Sequence, residues 1–179
     1  MHRQKILEQL QSYSPELEAE KQFRASFLAF IEVNSTCFER SLQEGHITGS
    51  AWIINHERDK ALLTHHFKLD RWLQLGGHAD GDPDIIRVAT KEATEESGLS
   101  SIELVSDQIF DIDIHTIPAR KAEPEHLHYD VRFLFKADEQ EPLVVNRESK
   151  ELAWLYKNEL WKLSNNNESI LRMAEKSLK

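Results

Sequence analysis

The spacing of hydrophobic residues changes twice along the chain and divides it into three segments. In residues 1–45 and again in 158–179, apolar residues recur three and four positions apart, which predicts amphipathic helices. The N-terminal apolar stripe comprises Phe23, Phe27, Phe30 and Ile31, and the C-terminal one Ile170, Leu171, Ala174 and Leu178. Between them, over residues 46–157, a period of two predicts β-strands. We therefore expect an N-terminal helical extension over 1–45 and a mixed α/β domain over 46–179.

The N-terminal segment contains a helix-start signal. Ser14 fits an N-cap and Pro15 fits the first helical position. The apolar stripe that follows predicts docking of this segment on the main domain. A homodimer interface is the alternative, because an amphipathic helix serves either purpose.

Several strands and one central helix are predicted within the middle segment. Short strands are expected at residues 50–55, 61–66, 72–75 and 152–156. A helix is expected from Pro83 or Ile85 to Ser97, followed by Gly98 where a left-handed terminator belongs. Two further strands alternate strongly, and their polar faces carry Asp111, Asp113 and His115 on one and His126, His128, Asp130 and Arg132 on the other. If these two strands are neighbours, their polar faces form one patch.

Composition narrows the class of protein. The chain has 179 residues, 40% hydrophobic and 30% charged, which suffices for a buried core. A net charge of −9 argues against a nucleic-acid polymer as partner, since such a surface needs clustered positive charge. Short apolar runs and an N-terminus without an apolar stretch predict a cytoplasmic protein with no membrane span. The single cysteine, Cys37, excludes an intramolecular disulfide and is expected to pack in the core.

The central helix carries an acidic stripe. Glu92, Glu95 and Glu96 share one face at spacings of three and four, although like charges so placed destabilise a helix by about 0.2–0.5 kcal/mol per pair. A hard divalent cation, Mg²⁺ or Mn²⁺, is the natural partner for such carboxylates. A solvated acidic face is the alternative interpretation.

The surroundings of this stripe resemble the Nudix box. That signature reads glycine, five residues, glutamate, seven residues, then Arg-Glu-apolar-any-Glu-Glu-any-Gly-apolar. Here Gly77 is followed by five residues, Pro83, seven residues and the run Lys91-Glu92-Ala93-Thr94-Glu95-Glu96-Ser97-Gly98-Leu99. The spacing matches without a gap, but Pro83 and Lys91 replace a glutamate and an arginine that brace the loop in the family. Lys91 is expected to pair instead with Asp80, Asp82 or Asp84.

The resemblance implies a Nudix-like α/β/α sandwich with a mixed β-sheet, an N-terminal helical extension and a C-terminal helix. It implies a pyrophosphohydrolase that uses Mg²⁺ or Mn²⁺ to cleave a diphosphate linkage in a nucleoside diphosphate linked to another moiety, such as a sugar nucleotide, a dinucleotide or a nucleoside triphosphate. Glu92, Glu95 and Glu96 would hold metal, with the Gly76 carbonyl as a further ligand. The general base would be Glu92 or a later glutamate, with Glu148 and Glu151 as candidates.

Histidines and cations supply the candidate substrate-binding residues. They are His78 after the paired glycines, His115, His126, His128 and Arg132 on the polar patch, and Arg120 and Lys121 in the loop between Pro118 and Pro124. Histidine can contact phosphate or bind a metal. A solvent-facing side of an antiparallel sheet is the alternative for the patch.

Two other functions stay open from the sequence. A catalytically weak or inactive Nudix-like module that binds a ligand is favoured by Pro83 and Lys91, whereas retention of all three glutamates favours an enzyme. An isomerase of a prenyl diphosphate shares the fold, but its chemistry usually needs a cysteine in the cleft, and Cys37 lies far from the box in sequence.

Overall fold

The computed structural model describes residues 2–120, 124–163, 165 and 167–179. In chain order its elements are α1 (Gln4–Ser12), α2 (Glu18–Val33), β1 (Gly45–Ile54), β2 (Lys60–His66), β3 (Arg71–Leu73), β4 (Leu75–His78), α3 (Ile85–Ser97), β5 (Glu103–Leu104), β6 (Asp111–Ile117), β7 (His126–Lys136), β8 (Ser149–Tyr156), α4 (Lys157–Leu163) and α5 (Glu168–Ser177). No helix among these residues is long and apolar enough to cross a membrane.

Strand β1 lies at the centre of one mixed sheet. It pairs in parallel with β7 along its whole length, from Gly45 opposite Leu127 to Ile54 opposite Lys136. On its other side it pairs antiparallel with β4 through residues 48–51 and with β2 through its last two residues. Strand β2 also pairs with β3 and β8, and β7 also pairs with β5 and β6. The fold is therefore the predicted mixed α/β architecture.

Alternation along β1 gives the sheet two faces with separate cores. Ile47 and Ile53 belong to a hydrophobic cluster that includes side chains of α1, α2 and α3. Trp52 and Ile54 belong to a second cluster, which α4 and α5 cover. Since successive strand residues point to opposite sides, His46, Thr48 and Ser50 lie on the same face as this second cluster, nearer the start of the strand.

The N-terminal helices pack on the main body of the chain. The Phe30 ring stacks on Tyr129 of β7 at a centroid separation of 3.9 Å, and Phe27 meets the same ring edge-on at 5.2 Å. Phe27 and Ile31 are fully buried. The stripe thus packs within the chain, as its docking interpretation expects. The division after residue 45 stays a prediction, because these helices and the sheet share one hydrophobic cluster.

The expected helix start at Ser14 is wrong. Helix α2 begins at Glu18, and Ser14 and Pro15 belong to the connection that follows α1. Proline biases the preceding residue toward extended backbone, which suits this connection. The Arg24 side chain donates to the carbonyl oxygens of Leu10 and Gln11 and so caps the end of α1.

The C-terminal segment forms two helices in place of one. Helix α4 ends at Leu163, and Asn167 caps α5 by accepting a hydrogen bond from the Ser169 backbone N–H at 3.1 Å. Asparagine is favoured at N-caps and not within helices. An Asn-rich stretch therefore separates the two helices.

Candidate active site

Helix α3 is placed by its two ends and its apolar side. Asp84 caps the start by accepting from the Arg87 N–H at 3.4 Å, and Gly98 ends the helix in the left-handed region at φ 73°. Ala89 and Ala93 are fully buried on the side that packs on the sheet. The acidic stripe borders this side and faces the paired glycines at the end of β4.

The paired glycines allow side chains of α3 to approach the strand closely. A Cβ atom on Gly77 would lie 2.6 Å from the Glu92 carboxyl carbon, so a larger residue there would displace that carboxylate. The Gly76 N–H donates to Glu96 Oε2 at 3.4 Å. Gly77 is therefore required where Glu92 meets β4, whereas a Cβ atom on Gly76 would meet Ser50 of β1.

The three glutamates differ in their environments. Glu96 is 8% exposed, and burial, reinforced by the charges of Glu92 and Glu148, raises its pKa to about 8. Burial also raises the pKa of Glu92, which Lys91 opposes. The Glu95 side chain is 60% exposed, and its carboxylate lies 3.8 Å from the Lys91 ammonium. Glu92 and Glu96 thus form the inner pair of the stripe and Glu95 its outer member.

Glu148 faces this pair from the loop before β8. Its charge acts to raise the pKa of both Glu92 and Glu96. Its backbone N–H donates to Asn146 Oδ1 at 2.8 Å, and its carbonyl accepts from the Phe67 N–H at 2.7 Å, which holds the loop against the end of β2. The other candidate, Glu151, pairs with His65 within the sheet. Glu148 is therefore the later glutamate whose charge acts on the acidic pair.

The loop between β4 and α3 is braced by ion pairs other than the expected ones. Arg87 donates to both carboxylate oxygens of Asp82, at 2.7 and 2.5 Å. Arg40 likewise holds Asp80, and the Lys5 ammonium lies 2.9 Å from Asp84. Lys91 faces Glu92 and Glu95, so its expected pairing with one of the loop aspartates is wrong. Three cations from three separate segments thus fix the loop in place of the family's brace.

The histidines of strands β1, β4, β6 and β7 lie close together. His115 lies opposite His128 in the β6–β7 register, and His46 of β1 lies opposite His128 from the other side. The ring of His78 lies 5.0 Å from those of His46 and His128, and His126 Nε2 lies 3.3 Å from His128 Nε2. The alternation correctly predicted one polar patch on two neighbouring strands.

The cationic candidates for substrate binding differ in their exposure and contacts. Arg120 is exposed, and its charge and that of Glu148 both act on the pKa of His66. Lys121 lies outside the described residues. Arg132 is 2% exposed. Its guanidinium donates to three buried or half-buried carboxylates, Asp111, Asp113 and Asp130, at 2.7–3.1 Å.

The surroundings of Arg132 favour a structural role over the expected role in substrate binding. Arg172 and Lys176 of α5 also reach Asp111, so two charged helical side chains join this network to the C-terminal helix. A fully paired, buried guanidinium holds the sheet and α5 together. The alternation places Arg132 on the polar face of its strand, as a substrate-binding residue or on a solvent-facing side, and residue spacing does not show that α5 covers that face.

His46 is not among the site residues predicted from the sequence. The predicted strand began at Ser50, whereas β1 begins at Gly45. An alternation of His46, Thr48 and Ser50 precedes the apolar run and was the available signal. Thr48 and Ser50 both donate to the buried Asp130 carboxylate, at 2.9 and 2.7 Å.

The acidic pair fits a hard divalent cation. Burying a carboxylate beside another costs free energy unless a positive charge compensates, and the carboxylate oxygens of Glu92 and Glu96 are ligands that Mg²⁺ and Mn²⁺ favour. Cys37, in contrast, is buried, and burial raises its pKa to about 11, so its thiol is not activated.

Several solved structures share the fold of this chain. No protein-family model and no curated protein matches the chain. Among solved structures, an Ap4A hydrolase from C. elegans has a TM-score of 0.58 at 16% identity, over 73% of this chain and 93% of that one. A NUDIX-family hydrolase from Clostridium perfringens has a TM-score of 0.54 at 26% identity, over 73% and 95%. The dihydroneopterin triphosphate pyrophosphohydrolase of E. coli has a TM-score of 0.58 at 14% identity, over 72% and 92%.

These likenesses place the fold among the Nudix hydrolases. They confirm the family resemblance predicted from the spaced glutamates and glycines, and the α/β fold that it implied. The neighbour from Clostridium perfringens, at 26% identity, is a hydrolase of the NUDIX family.

Proposed function

We propose that this protein is a divalent-metal-dependent hydrolase that cleaves a diphosphate linkage in a nucleoside diphosphate linked to another moiety. One observation carries the proposal: the buried Glu96 carboxylate lies with Glu92 against a glycine pair, and Glu148 faces both. Such a concentration of carboxylates repels a diphosphate unless cations lie between them.

In this proposal Glu92 and Glu96 hold Mg²⁺ or Mn²⁺, with Glu95 and the Gly76 carbonyl as outer ligands. When bound, the metal neutralises phosphate charge and lowers the pKa of the attacking water. Glu148, or Glu92 where it is not engaged, accepts the proton of that water. Arg120 is proposed to contact the substrate's polar groups. His78, His115, His126 and His128 lie on the face of the sheet opposite Glu92 and are given no substrate contact in this proposal.

Two neighbours guide the choice of substrates to test. The C. elegans protein is named for Ap4A and the E. coli protein for dihydroneopterin triphosphate. A panel should therefore contain these two compounds, a sugar nucleotide, a dinucleotide and a nucleoside triphosphate. Product release would be measured with Mg²⁺, with Mn²⁺ and with EDTA.

The same panel should be run on Glu96→Gln and on Glu103→Gln as a control. Glu103 lies on the exposed strand β5, so its loss should leave turnover unchanged. We expect metal-dependent turnover of at least one compound, lost in Glu96→Gln. Absence of turnover throughout the panel, with a ligand or metal still raising the melting temperature, would contradict the proposal and favour a ligand-binding module.

A further inference from the structure

Three histidines from three different strands converge on one face of the sheet. His46 on β1 lies opposite His128 on β7, and Thr48, two residues after His46, lies opposite His78 on β4. One ring nitrogen from each of His46, His78 and His128 lies within 4.8 Å of the others. Long-range strand pairing, and not local sequence, brings them together.

His46 has no evident structural role. It is 2% exposed, and neither of its ring nitrogens makes a hydrogen bond with the described residues. An unsatisfied buried polar group costs about 1–3 kcal/mol and calls for a specific explanation. A ligand bound by the ring nitrogens supplies one.

The surroundings keep two of these imidazoles, those of His46 and His128, neutral. Burial and the neighbouring histidines lower the pKa of His46 to about 4 and that of His128 to about 2. A neutral imidazole has a nitrogen lone pair available to a metal, whereas a protonated one has none.

The spacing also fits coordination. Two nitrogens on a tetrahedral Zn²⁺ at about 2.0–2.1 Å are roughly 3.3 Å apart. His126 Nε2 and His128 Nε2 are separated by 3.3 Å, and the His126 ring stacks near His46 at 5.0 Å. Small rotations of the rings would draw the other nitrogens to the same separation.

We propose that His46, His78 and His128 bind a borderline divalent transition metal such as Zn²⁺, with His126 as the neighbouring fourth donor. Imidazole suits Zn²⁺, Ni²⁺, Cu²⁺ and Co²⁺, whereas Mg²⁺ prefers oxygen ligands. The site is separate from the acidic pair, because Gly77 faces Glu92 while His78, the next residue of β4, faces the other side of the sheet. This inference does not depend on the proposed hydrolase activity.

The test is a titration of the full chain with Co²⁺, and separately with Zn²⁺, in excess Mg²⁺. The visible absorption of Co²⁺ reports its coordination, and metal analysis after gel filtration gives the Zn²⁺ stoichiometry. We expect one ion per chain and a tetrahedral or five-coordinate Co²⁺ spectrum. His78→Gln and His128→Gln should weaken binding by at least about tenfold, since losing even an outer-shell partner of a ligand costs about 10–100-fold.

Two matched variants separate this site from other sources of binding. His56→Gln removes an exposed histidine in the β1–β2 turn and should bind as the wild type does. Glu92→Gln alters the acidic pair and should also leave Co²⁺ binding unchanged. Circular dichroism and the melting temperature verify that each variant is folded.

Three results would overturn the proposal. Either ion could fail to bind at one per chain, or folded His78→Gln and His128→Gln could bind as tightly as the wild type. Alternatively, binding could be lost in Glu92→Gln and kept in the histidine variants, which would assign the ion to the carboxylates.

Discussion

Replacing Glu96 by Gln should stabilise the metal-free protein while removing its activity. Glu96 is nearly buried, and glutamine keeps an oxygen that can accept the Gly76 N–H. The substitution removes the ionisable group and little else. The difference in unfolding free energy between this variant and the wild type therefore measures the cost of burying the Glu96 carboxylate.

The size of the effect follows from the pKa of Glu96. Its value is about 8 in the folded chain, against 4.5 ordinarily. Between these values the folded wild type binds a proton that the unfolded chain has released, so its stability falls by about 1.4 kcal/mol for each pH unit of increase. From pH 4.5 to 7 the loss is roughly 3 kcal/mol, which glutamine avoids. In a chain of this length that corresponds to a rise in melting temperature of roughly 6–12 °C.

The assay is thermal or urea unfolding in EDTA at several pH values, with Glu95→Gln as the control, since the Glu95 side chain is 60% exposed. The stability difference between Glu96→Gln and wild type should be near zero at pH 4.5, grow up to pH 8 and then level off. A difference that does not vary between pH 5 and 8, or a less stable variant at pH 7, would refute the reasoning. Loss of metal-dependent turnover in the same variant would show that the destabilising Glu96 carboxylate is needed for activity.

Other residues give three further tests. Glu148→Gln should lower kcat at least tenfold, while the unfolding free energy changes by under about 0.5 kcal/mol because the side chain is exposed. Glu151→Gln should leave both kcat and the unfolding free energy unchanged. Equal losses of kcat in the two variants would assign no special role to Glu148. Arg87→Ala should reduce turnover more than stability, since an exposed ion pair with Asp82 is worth about 0–1 kcal/mol while it orders the loop; unchanged kinetics would contradict a bracing role. Arg132→Met should destabilise the fold by about 3–5 kcal/mol in urea unfolding, because it removes the cation that pairs with the buried Asp130 carboxylate, and a loss below 1 kcal/mol would contradict this.

Local signals in the sequence predicted much of the fold. The helix of the acidic stripe ends at Ser97 with Gly98 in the left-handed conformation, as expected. Strand β2 and the alternating strands β6 and β7 were also predicted, because apolar residues cluster in the first and recur at every second position in the other two. The start of α2 was missed because Ser14-Pro15 fits a connection as well as a cap.

The candidate site could be predicted only where it is local in sequence. Glu92 and Glu96 lie one turn apart on a single helix, so their spacing in the sequence was enough to predict that their side chains share one face. His46, in contrast, joins His128 through strand pairing, and the roles of Arg40 and Arg87 in bracing the loop depend on which segments pack together. Burial of Arg132 depended on α5, about 40 residues further along the chain. Such relations are set by topology, which residue spacing does not encode.

The parallel pairing of β1 with β7 has a consequence for biosynthesis. Partners such as Gly45 and Leu127 are 82 positions apart, so β1 leaves the ribosome long before its neighbour is made. Pairing of such distant segments is slow, and until it occurs β1 has an apolar edge with unpaired amide groups. A chain that stops before β7 should therefore aggregate instead of yielding a smaller active fragment. The acidic helix, although complete by Ser97, becomes useful only after the last third of the protein has been translated.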